Sequence, residues 1–234
     1  MVGENYKEVL SIVEKTAVNA DRNPANVTLI AVSKTKPVEL LQEVYDSGAR
    51  DFGENKVQEI MAKFNVLPQD IRWHMIGHLQ TNKVKYIADK VYMIHSVDTE
   101  KLALTISKEA VKVGRVIPVL IEVNIAKEDT KYGIMPEECE GFIRSISSLP
   151  GIAVKGLMTI APFVENREEN RVHFQALKQL SVDIMHKNID NVSMEFLSMG
   201  MSGDYETAIE EGANFVRVGT KIFGERDYLA QSDK

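Results

Sequence analysis

The sequence predicts an α/β protein built as a single (β/α)8 barrel of the TIM type with an extra helix at the N-terminus. Eight short apolar segments alternate with segments of helical spacing, and such alternation is typical of a parallel sheet. No linker or shift in composition divides the chain. Its 234 residues also suit a barrel of this kind, which has about 250 residues and needs at least about 200.

The first predicted strand, residues 27–33, is an almost continuous apolar run. Such a run is expected of a strand that is buried on both faces of a parallel sheet. It follows a leading helix, residues 4–20, whose apolar residues recur at helical spacing. The other predicted strands are residues 51–53, 72–77, 91–96, 117–124, 153–159, 193–197 and 214–218.

A helix is predicted after each strand. Pro37 opens the first of these helices and Gly48 stops it, and Asp98 is predicted to cap the fourth. The predicted ranges are 37–47, 55–64, 81–88, 98–112, 136–149, 167–186 and 204–211, with a short helix after the eighth strand. No Gly-x-Gly-x-x-Gly sequence follows the first strand, which argues against a dinucleotide-binding sheet.

Composition and charge narrow the class of protein. The 28 Lys and Arg residues against 34 Asp and Glu residues give a net charge of −6, which argues against a nucleic-acid or membrane partner. No apolar run approaches the roughly 20 residues of a membrane span, and the N-terminus lacks the apolar core of a signal peptide. Cys139 is the single cysteine, so a reducing compartment is indicated. We expect a cytoplasmic protein.

Polar residues follow most of the predicted strands. In a (β/α)8 barrel the active site lies at the carboxyl ends of the strands. Ser202 and Asp204 suit helix caps and turns. Lys34, His78 and Arg217 neither cap helices nor favour turns, so we interpret them as candidates for a binding site.

The ends of the seventh and eighth strands indicate a phosphate site. They carry hydroxyls and glycines in two runs, Ser198-Met199-Gly200-Met201-Ser202-Gly203-Asp204 and Gly219-Thr220. Barrels commonly hold phosphate in the loops after these two strands. Backbone amides at helix N-termini suit an anion, and glycine lets the anion come close. The alternative is that these glycines serve the loops alone.

Lys34 ends the first predicted strand. It shares side-chain parity with Ile30 and Val32, so all three can face the barrel interior. A lysine at a barrel mouth can lose its proton and form an imine with an aldehyde. Lys36 is a competitor, but it precedes Pro37, is pushed to an extended conformation and is expected on the rim. An ordinary surface lysine is the remaining alternative for Lys34.

Six stretches distributed from the first strand to the last carry a family resemblance. They are Ala31-Val32-Ser33-Lys34-Thr35-Lys36-Pro37 and Ser198-Met199-Gly200-Met201-Ser202, together with residues 52–59, 73–83, 156–160 and 217–224. Together they resemble the pyridoxal phosphate homeostasis protein family over essentially the whole chain. Each stretch alone is a weak signal, and their combination is highly specific.

The resemblance implies one domain, residues 1–234, like the N-terminal domain of alanine racemase. It implies pyridoxal 5'-phosphate bound as a Schiff base on Lys34, with Asn55 near the ring hydroxyl and Arg217 near the pyridine nitrogen. The implied phosphate contacts are Ser198, the amides of Met199 and Gly200, and Gly219-Thr220. The complete set of expected cofactor-binding residues is Lys34, Asn55, His78, Ser198, Met199, Gly200, Arg217, Gly219 and Thr220.

Arg217 opposite the ring nitrogen favours a cofactor holder over an enzyme. Guanidinium stays protonated in proteins and cannot give the ring a full proton, whereas an aspartate there would create a strong electron sink. Racemases related by fold take a second base from a second domain, and this sequence ends ten residues after Gly224. We therefore expect a non-catalytic monomer that stores pyridoxal phosphate and delivers it to apo-enzymes.

Two alternatives stay open. One is an amino-acid racemase or lyase whose second base is Tyr132, His78 or a residue of a partner subunit. The other is a barrel enzyme that acts on a phosphorylated sugar through an imine on Lys34. A metal site is not expected, because His74, His78 and His95 are scattered along the sequence.

Overall fold

Eight parallel strands close into a barrel in which each strand pairs with its neighbour in sequence and the last pairs with the first. The structure is a computed structural model, and it describes residues 1–128 and 130–225. The strands are β1 Thr28–Val32, β2 Asp51–Glu54, β3 Arg72–Met75, β4 Val91–Val97, β5 Ile117–Glu122, β6 Ile152–Met158, β7 Val192–Met201 and β8 Phe215–Val218. The predicted (β/α)8 barrel is thereby confirmed.

Helices follow the strands around the outside of the barrel. They are α1 Val2–Asn19, α2 Val38–Asp46, α3 Val57–Phe64, α4 Glu100–Lys112, α5 Cys139–Ile146, α6 Arg171–Met185, α7 Tyr205–Glu210 and α8 Thr220–Phe223. The leading helix α1 packs against α2, α7 and α8, and Asn5 Nδ2 donates to Ile222 O at 3.0 Å. No helix in the described ranges combines the length and the apolar character that crossing a membrane requires.

Two predicted helix features differ from the structure. Thr81–Tyr86 forms a 3-10 helix instead of the α-helix predicted for residues 81–88, and Lys83 N donates to Gln80 O at 3.0 Å. Repeats of about three and about 3.6 residues cannot be told apart over so short a segment. Asp98 does not cap α4. The cap is Thr99, because its Oγ1 accepts from Leu102 N at 3.3 Å.

Side chains alternate between the barrel interior and the helix layer. In β1, Leu29 and Ala31 belong to the large core between the strands and the helices, and Ile30 points inward, as the period of two requires. The inner apolar cluster consists of Ile30, Met93, Leu120, Met158 and Phe215. Polar side chains share the interior with this cluster and lead to the site described next.

Candidate functional site

A cavity of about 740 Å³ opens at the carboxyl ends of the strands. Five of the nine residues predicted to bind the cofactor line it, namely Lys34, Asn55, Arg217, Gly219 and Thr220. Ser202 and Gly203 line the same cavity. The barrel thus brings the ends of β1, β2, β7 and β8 together around one space, while the binding role of each residue stays a prediction at this point.

Lys34 lies two residues after the end of β1. Val32 and Lys34 line the cavity and Ile30 lies in the inner cluster, as the alternation predicts. The next residue, Thr35, has a left-handed φ of 63°, and its amide donates to Glu59 Oε2 at 2.7 Å. The turn that carries Lys34 is therefore held to α3.

Lys36 is engaged away from the cavity. Its Nζ donates to Phe223 O at 2.9 Å and to Glu225 O at 2.8 Å. Two carbonyl acceptors suit a charged ammonium group, and Lys36 does not belong to the cavity wall. Of the two competing lysines, Lys34 is therefore the one that the fold presents to the cavity.

A buried network lies between β1, β2 and α3, and we call it the outer network (Ser33, Glu54, Glu59 and Lys63). Lys63 Nζ donates to Glu54 Oε1 at 2.7 Å, to Glu59 Oε2 at 2.9 Å and to Ser33 O at 2.9 Å. Ser33 Oγ donates to Glu54 Oε1 at 2.7 Å. Burial raises the pKa of Glu54, and the Lys63 ammonium opposes that rise. The network holds the backbone just before Lys34.

The loops after β7 and β8 are tied to each other at the cavity. Gly219 N donates to Ser202 Oγ at 3.2 Å. Asp204 Oδ1 accepts from Met201 N at 2.6 Å, and its Oδ2 accepts from Asn170 Nδ2 at 2.7 Å. These bonds fix the shape of the β7 loop, in agreement with the turn-forming role predicted for Asp204.

Ser198, Met199 and Gly200 do not belong to the wall of this cavity, and their contacts with a phosphate stay a prediction. The sequence predicts a strand end at residue 197, whereas β7 continues to Met201. Met199 is fully buried in the core between strands and helices. Gly200 has a φ of 87°, and a Cβ there would lie 2.5 Å from Ala208 Cβ. This glycine therefore serves the close packing of α7 on β7.

His78 also lies outside the cavity wall. Its ring stacks on that of Tyr132, with centroids 4.2 Å apart and an interplanar angle of 17°. Its Nδ1 is 3.9 Å from Asp98 Oδ2, and its side chain is exposed. The structure therefore does not bring His78 together with Lys34, because the loop after β3 directs the imidazole towards the loop after β5.

A second buried network runs through the barrel interior, and we call it the inner network (Asp51, His74, His95, Ser198 and Arg217). Arg217 Nη1 donates to Ser198 Oγ at 2.6 Å. Ser198 Oγ is 2.9 Å from His95 Nδ1. His95 Nε2 is 2.9 Å from His74 Nδ1, and His74 Nε2 is 3.0 Å from Asp51 Oδ1. The fold thus brings His74 and His95, which are scattered along the sequence, into direct contact.

Sequence reasoning missed this pair of histidines although one signal was present. Alternation along β4 places His95 on the same face as Met93, a member of the inner cluster. Its contact with His74 depends on the register of β3 and β4, which shifts between Trp73 and His74. Within the described residues, no group of three or more His, Cys, Asp or Glu side chains has the arrangement of a metal site.

Glu122 ends β5 and is buried near Arg217. Burial raises the pKa of Glu122 to about 7, the Asp98 carboxylate adds to the rise, and the Arg217 guanidinium opposes it. Burial lowers the pKa of Arg217 to about 10, and Glu122 opposes that fall. Arg217 therefore keeps its proton at neutral pH and faces the cavity as a charged hydrogen-bond donor.

Residues 13–227 match the family model described as alanine racemase, N-terminal domain. A pyridoxal phosphate homeostasis protein from Aquifex aeolicus (strain VF5) is 45% identical over 226 residues, which cover 96% of this chain and 98% of that protein. The chain belongs to the pyridoxal phosphate homeostasis protein family. A family member of the same name from Escherichia coli (strain K12) is 34% identical, with 97% of each chain covered. The resemblance inferred from the sequence is thereby confirmed.

Solved structures agree with this family assignment. PipY of Synechococcus elongatus PCC7942, solved with PLP bound, has a TM-score of 0.79 and 35% identity over 91% of this chain and 100% of that chain. A protein from Bifidobacterium adolescentis, described as unknown, has a TM-score of 0.90 and 34% identity over 95% and 94% of the two chains. Alanine racemase from Clostridium difficile 630, at 16% identity and a TM-score of 0.74, shares the fold alone.

Proposed function

We propose that this chain binds pyridoxal 5'-phosphate through Lys34 and acts in intracellular homeostasis of the cofactor, by storage and delivery, without robust catalysis. The observation that carries the proposal is the cavity in which Lys34 shares the walls with Arg217 and with the loops after β7 and β8. An aldehyde, an aromatic ring and a phosphate on one small molecule match these three features. The PipY relative, whose structure contains PLP, supports the same cofactor.

The phosphate end of the cavity fits an anion. A Cβ at Gly219 would lie 3.3 Å from Val32 O, whereas the Cβ position at Gly203 has no atom within 4 Å. Glycine at 219 therefore relieves a tight contact, and the surface at 203 stays open to a ligand. We propose phosphate contacts from Gly219 and Thr220, and we add Ser202 and Gly203, which line the same cavity.

The ring end of the cavity is built from Asn55 and Arg217. When bound, the cofactor supplies an aldehyde carbon that forms a double bond to Lys34 Nζ with loss of water. We propose that Asn55 contacts the ring hydroxyl. Gly77 leaves room for the backbone of Asn55, because a Cβ at residue 77 would lie 2.7 Å from Asn55 O. Arg217 donates a hydrogen bond to the ring nitrogen without transferring its proton.

Lys34→Ala tests the attachment, and Lys36→Ala is the matched control. Purified wild-type protein is expected to show the visible absorption of lysine-bound cofactor. Lys34→Ala abolishes that band because the amine is gone, and Lys36→Ala retains it because Lys36 is held by carbonyls outside the cavity. Borohydride reduction and peptide mass mapping then locate the adduct. A mass tag on Lys36, or on no lysine, contradicts the proposal.

The absence of robust catalysis is supported by the residues around Lys34. The candidate second bases His78 and Tyr132 stack on each other and lie outside the cavity wall. Incubation with single L-amino acids in deuterated water, followed by proton NMR, tests this part. We expect α-proton exchange far slower than enzymatic turnover. Rapid exchange would favour the alternative of a racemase or lyase.

Delivery is the remaining part of the proposal, and we place it in a cytoplasmic monomer. The cavity opens at the carboxyl ends of the strands, so the cofactor could leave without unfolding of the barrel once water has hydrolysed its bond to Lys34. Titrating an apo-enzyme with the loaded protein should restore its activity faster than an equal concentration of free pyridoxal phosphate. Equal rates would contradict direct delivery, and sedimentation of the purified protein measures its oligomeric state.

A further inference from the structure

The inner network connects the two ends of the barrel. Arg217 lines the cavity at the carboxyl ends of the strands, whereas Asp51 is the first residue of β2 and lies at the opposite end. Ser198, His95 and His74 stand between them, and each is within 3.0 Å of the next group. The chain of hydrogen bonds is thus continuous through the barrel interior.

The two ends determine which atom donates at each link. Arg217 carries only donors, and ionised Asp51 carries only acceptors. Ser198 Oγ therefore accepts from Arg217 Nη1, and Asp51 Oδ1 accepts from His74 Nε2. With one proton on each imidazole, His74 Nδ1 accepts from His95 Nε2, and His95 Nδ1 accepts from Ser198 Oγ. In this arrangement each imidazole carries its single proton on Nε2.

The surroundings of His95 favour a ring with a single proton. His74 and His95 are fully buried, and the Phe215 ring packs against both, with centroids 5.5 and 5.3 Å away. Burial holds the pKa of His95 well below its usual range, and His74 and Arg217 lower it further. A second proton on this ring would sit on Nδ1, next to Ser198 Oγ, which already accepts from Arg217.

Asp51 and Arg217, the charged residues at the two ends of the inner network, each make further hydrogen bonds. Arg72 Nε donates to Asp51 Oδ1 at 2.8 Å and its Nη2 to Oδ2 at 2.5 Å. Burial tends to raise the pKa of Asp51, but the hydrogen bonds from Arg72 and His74 outweigh it and hold that pKa below its ordinary value. At the other end, Arg217 Nη2 donates to Thr159 O at 2.8 Å.

We propose that Ser198, His95 and His74 are positioning residues. As a relay from Asp51, they fix the orientation of the Arg217 guanidinium and thereby the hydrogen bond that it offers to the ring nitrogen of the cofactor. This last link rests on the proposed function, whereas the links inside the protein do not. The relay makes the donor in the cavity depend on residues at the far end of the barrel.

Nitrogen-15 NMR of the imidazole groups in cofactor-free wild-type protein tests the relay itself. The chain has five histidines, and the variants His78→Gln, His173→Gln and His186→Gln assign three of them, so the remaining signals belong to His74 and His95. We expect both at neutral pH to carry a proton on Nε2 and none on Nδ1. An imidazolium, or an Nδ1-protonated tautomer, at either position would overturn the relay.

Ser198→Ala tests the effect on the cavity, with pyridoxal phosphate as the probe. Loss of the acceptor for a charged donor is expected to weaken binding about tenfold or more, and to shift the absorption band of the bound cofactor. Ser198→Thr keeps the hydroxyl and should restore both, and the exposed His186→Gln is the control. Unchanged affinity and absorption in Ser198→Ala would overturn the positioning role.

The two experiments separate the failure of the relay from the failure of the proposed function. If wild-type protein binds no pyridoxal phosphate, the proposed function fails, and the NMR tautomers still decide whether the relay exists. If Ser198→Ala does not fold, the tautomers of the wild-type protein decide the relay in the same way.

Discussion

The outer and inner networks are both buried, yet they distribute charge in opposite ways. In the outer network, the Lys63 ammonium contacts the carboxylates of Glu54 and Glu59 at one point. In the inner network, the charges of Arg217 and Asp51 are held apart by Ser198, His95 and His74. A compact ion cluster is costly to break, because each remaining charge is left buried. In the proposed relay, a chain of hydrogen bonds instead sets the orientation of the Arg217 guanidinium. We therefore expect the outer network to govern stability and the inner network to govern the geometry of the cavity.

Breaking the outer network should have the largest effect of the substitutions considered for stability. Lys63→Met leaves the Glu54 and Glu59 carboxylates without their ammonium partner, which should lower the free energy of unfolding by about 3–5 kcal/mol. Urea unfolding at neutral pH measures this loss. Lys108→Met, at an exposed lysine, is the control. A loss below about 1 kcal/mol would show that the outer network behaves like a surface ion pair.

Glu122, near Arg217, is the group whose titration should be visible at the cavity mouth. Burial raises its pKa from 4.5 to about 7. Between these values the folded chain binds more protons than the unfolded chain, so stability falls as the pH rises through this window, by roughly 3 kcal/mol for this group.

Glu122→Gln should remove this part of the pH dependence. Urea unfolding at several pH values across the window measures the slope, and Glu165→Gln, at an exposed carboxylate, is the control. The same slope in Glu122→Gln and in the wild-type protein would show that Glu122 titrates normally in the folded chain.

The smallest effect is expected from one hydrogen bond of the outer network. Ser33→Ala removes the hydroxyl that donates to Glu54 Oε1 at 2.7 Å, which should cost about 1–2 kcal/mol of unfolding free energy. The absorption of the bound cofactor should stay unchanged, in contrast to Ser198→Ala. Urea unfolding and absorption spectra measure the two properties, with exposed Ser148→Ala as the control. A shifted band in Ser33→Ala would remove the distinction between the networks.

Much of the fold was predictable because it follows from local patterns. Each observed strand overlaps its predicted range. Lys34 faces the cavity because every second side chain along β1 points to the same side, so Lys34 follows the direction of Ile30. The end of β7 was not predictable in this way. Its polar and glycine-rich residues resemble a loop, but pairing with β8 extends the strand, with Met201 opposite Arg217. With that extension, Ser202 lines the cavity, and Ser198 contacts Arg217 inside the barrel.

The sequence by itself determined the number and order of the elements, the family, and the lysine at the end of β1. These features depend on side-chain periodicity and on residue types within a few positions of each other. Only the tertiary structure decided that His74 meets His95, and that Ser198 turns into the barrel. The physical reason is that contacts between strands depend on register and closure, which are set when all eight strands and their helices pack together.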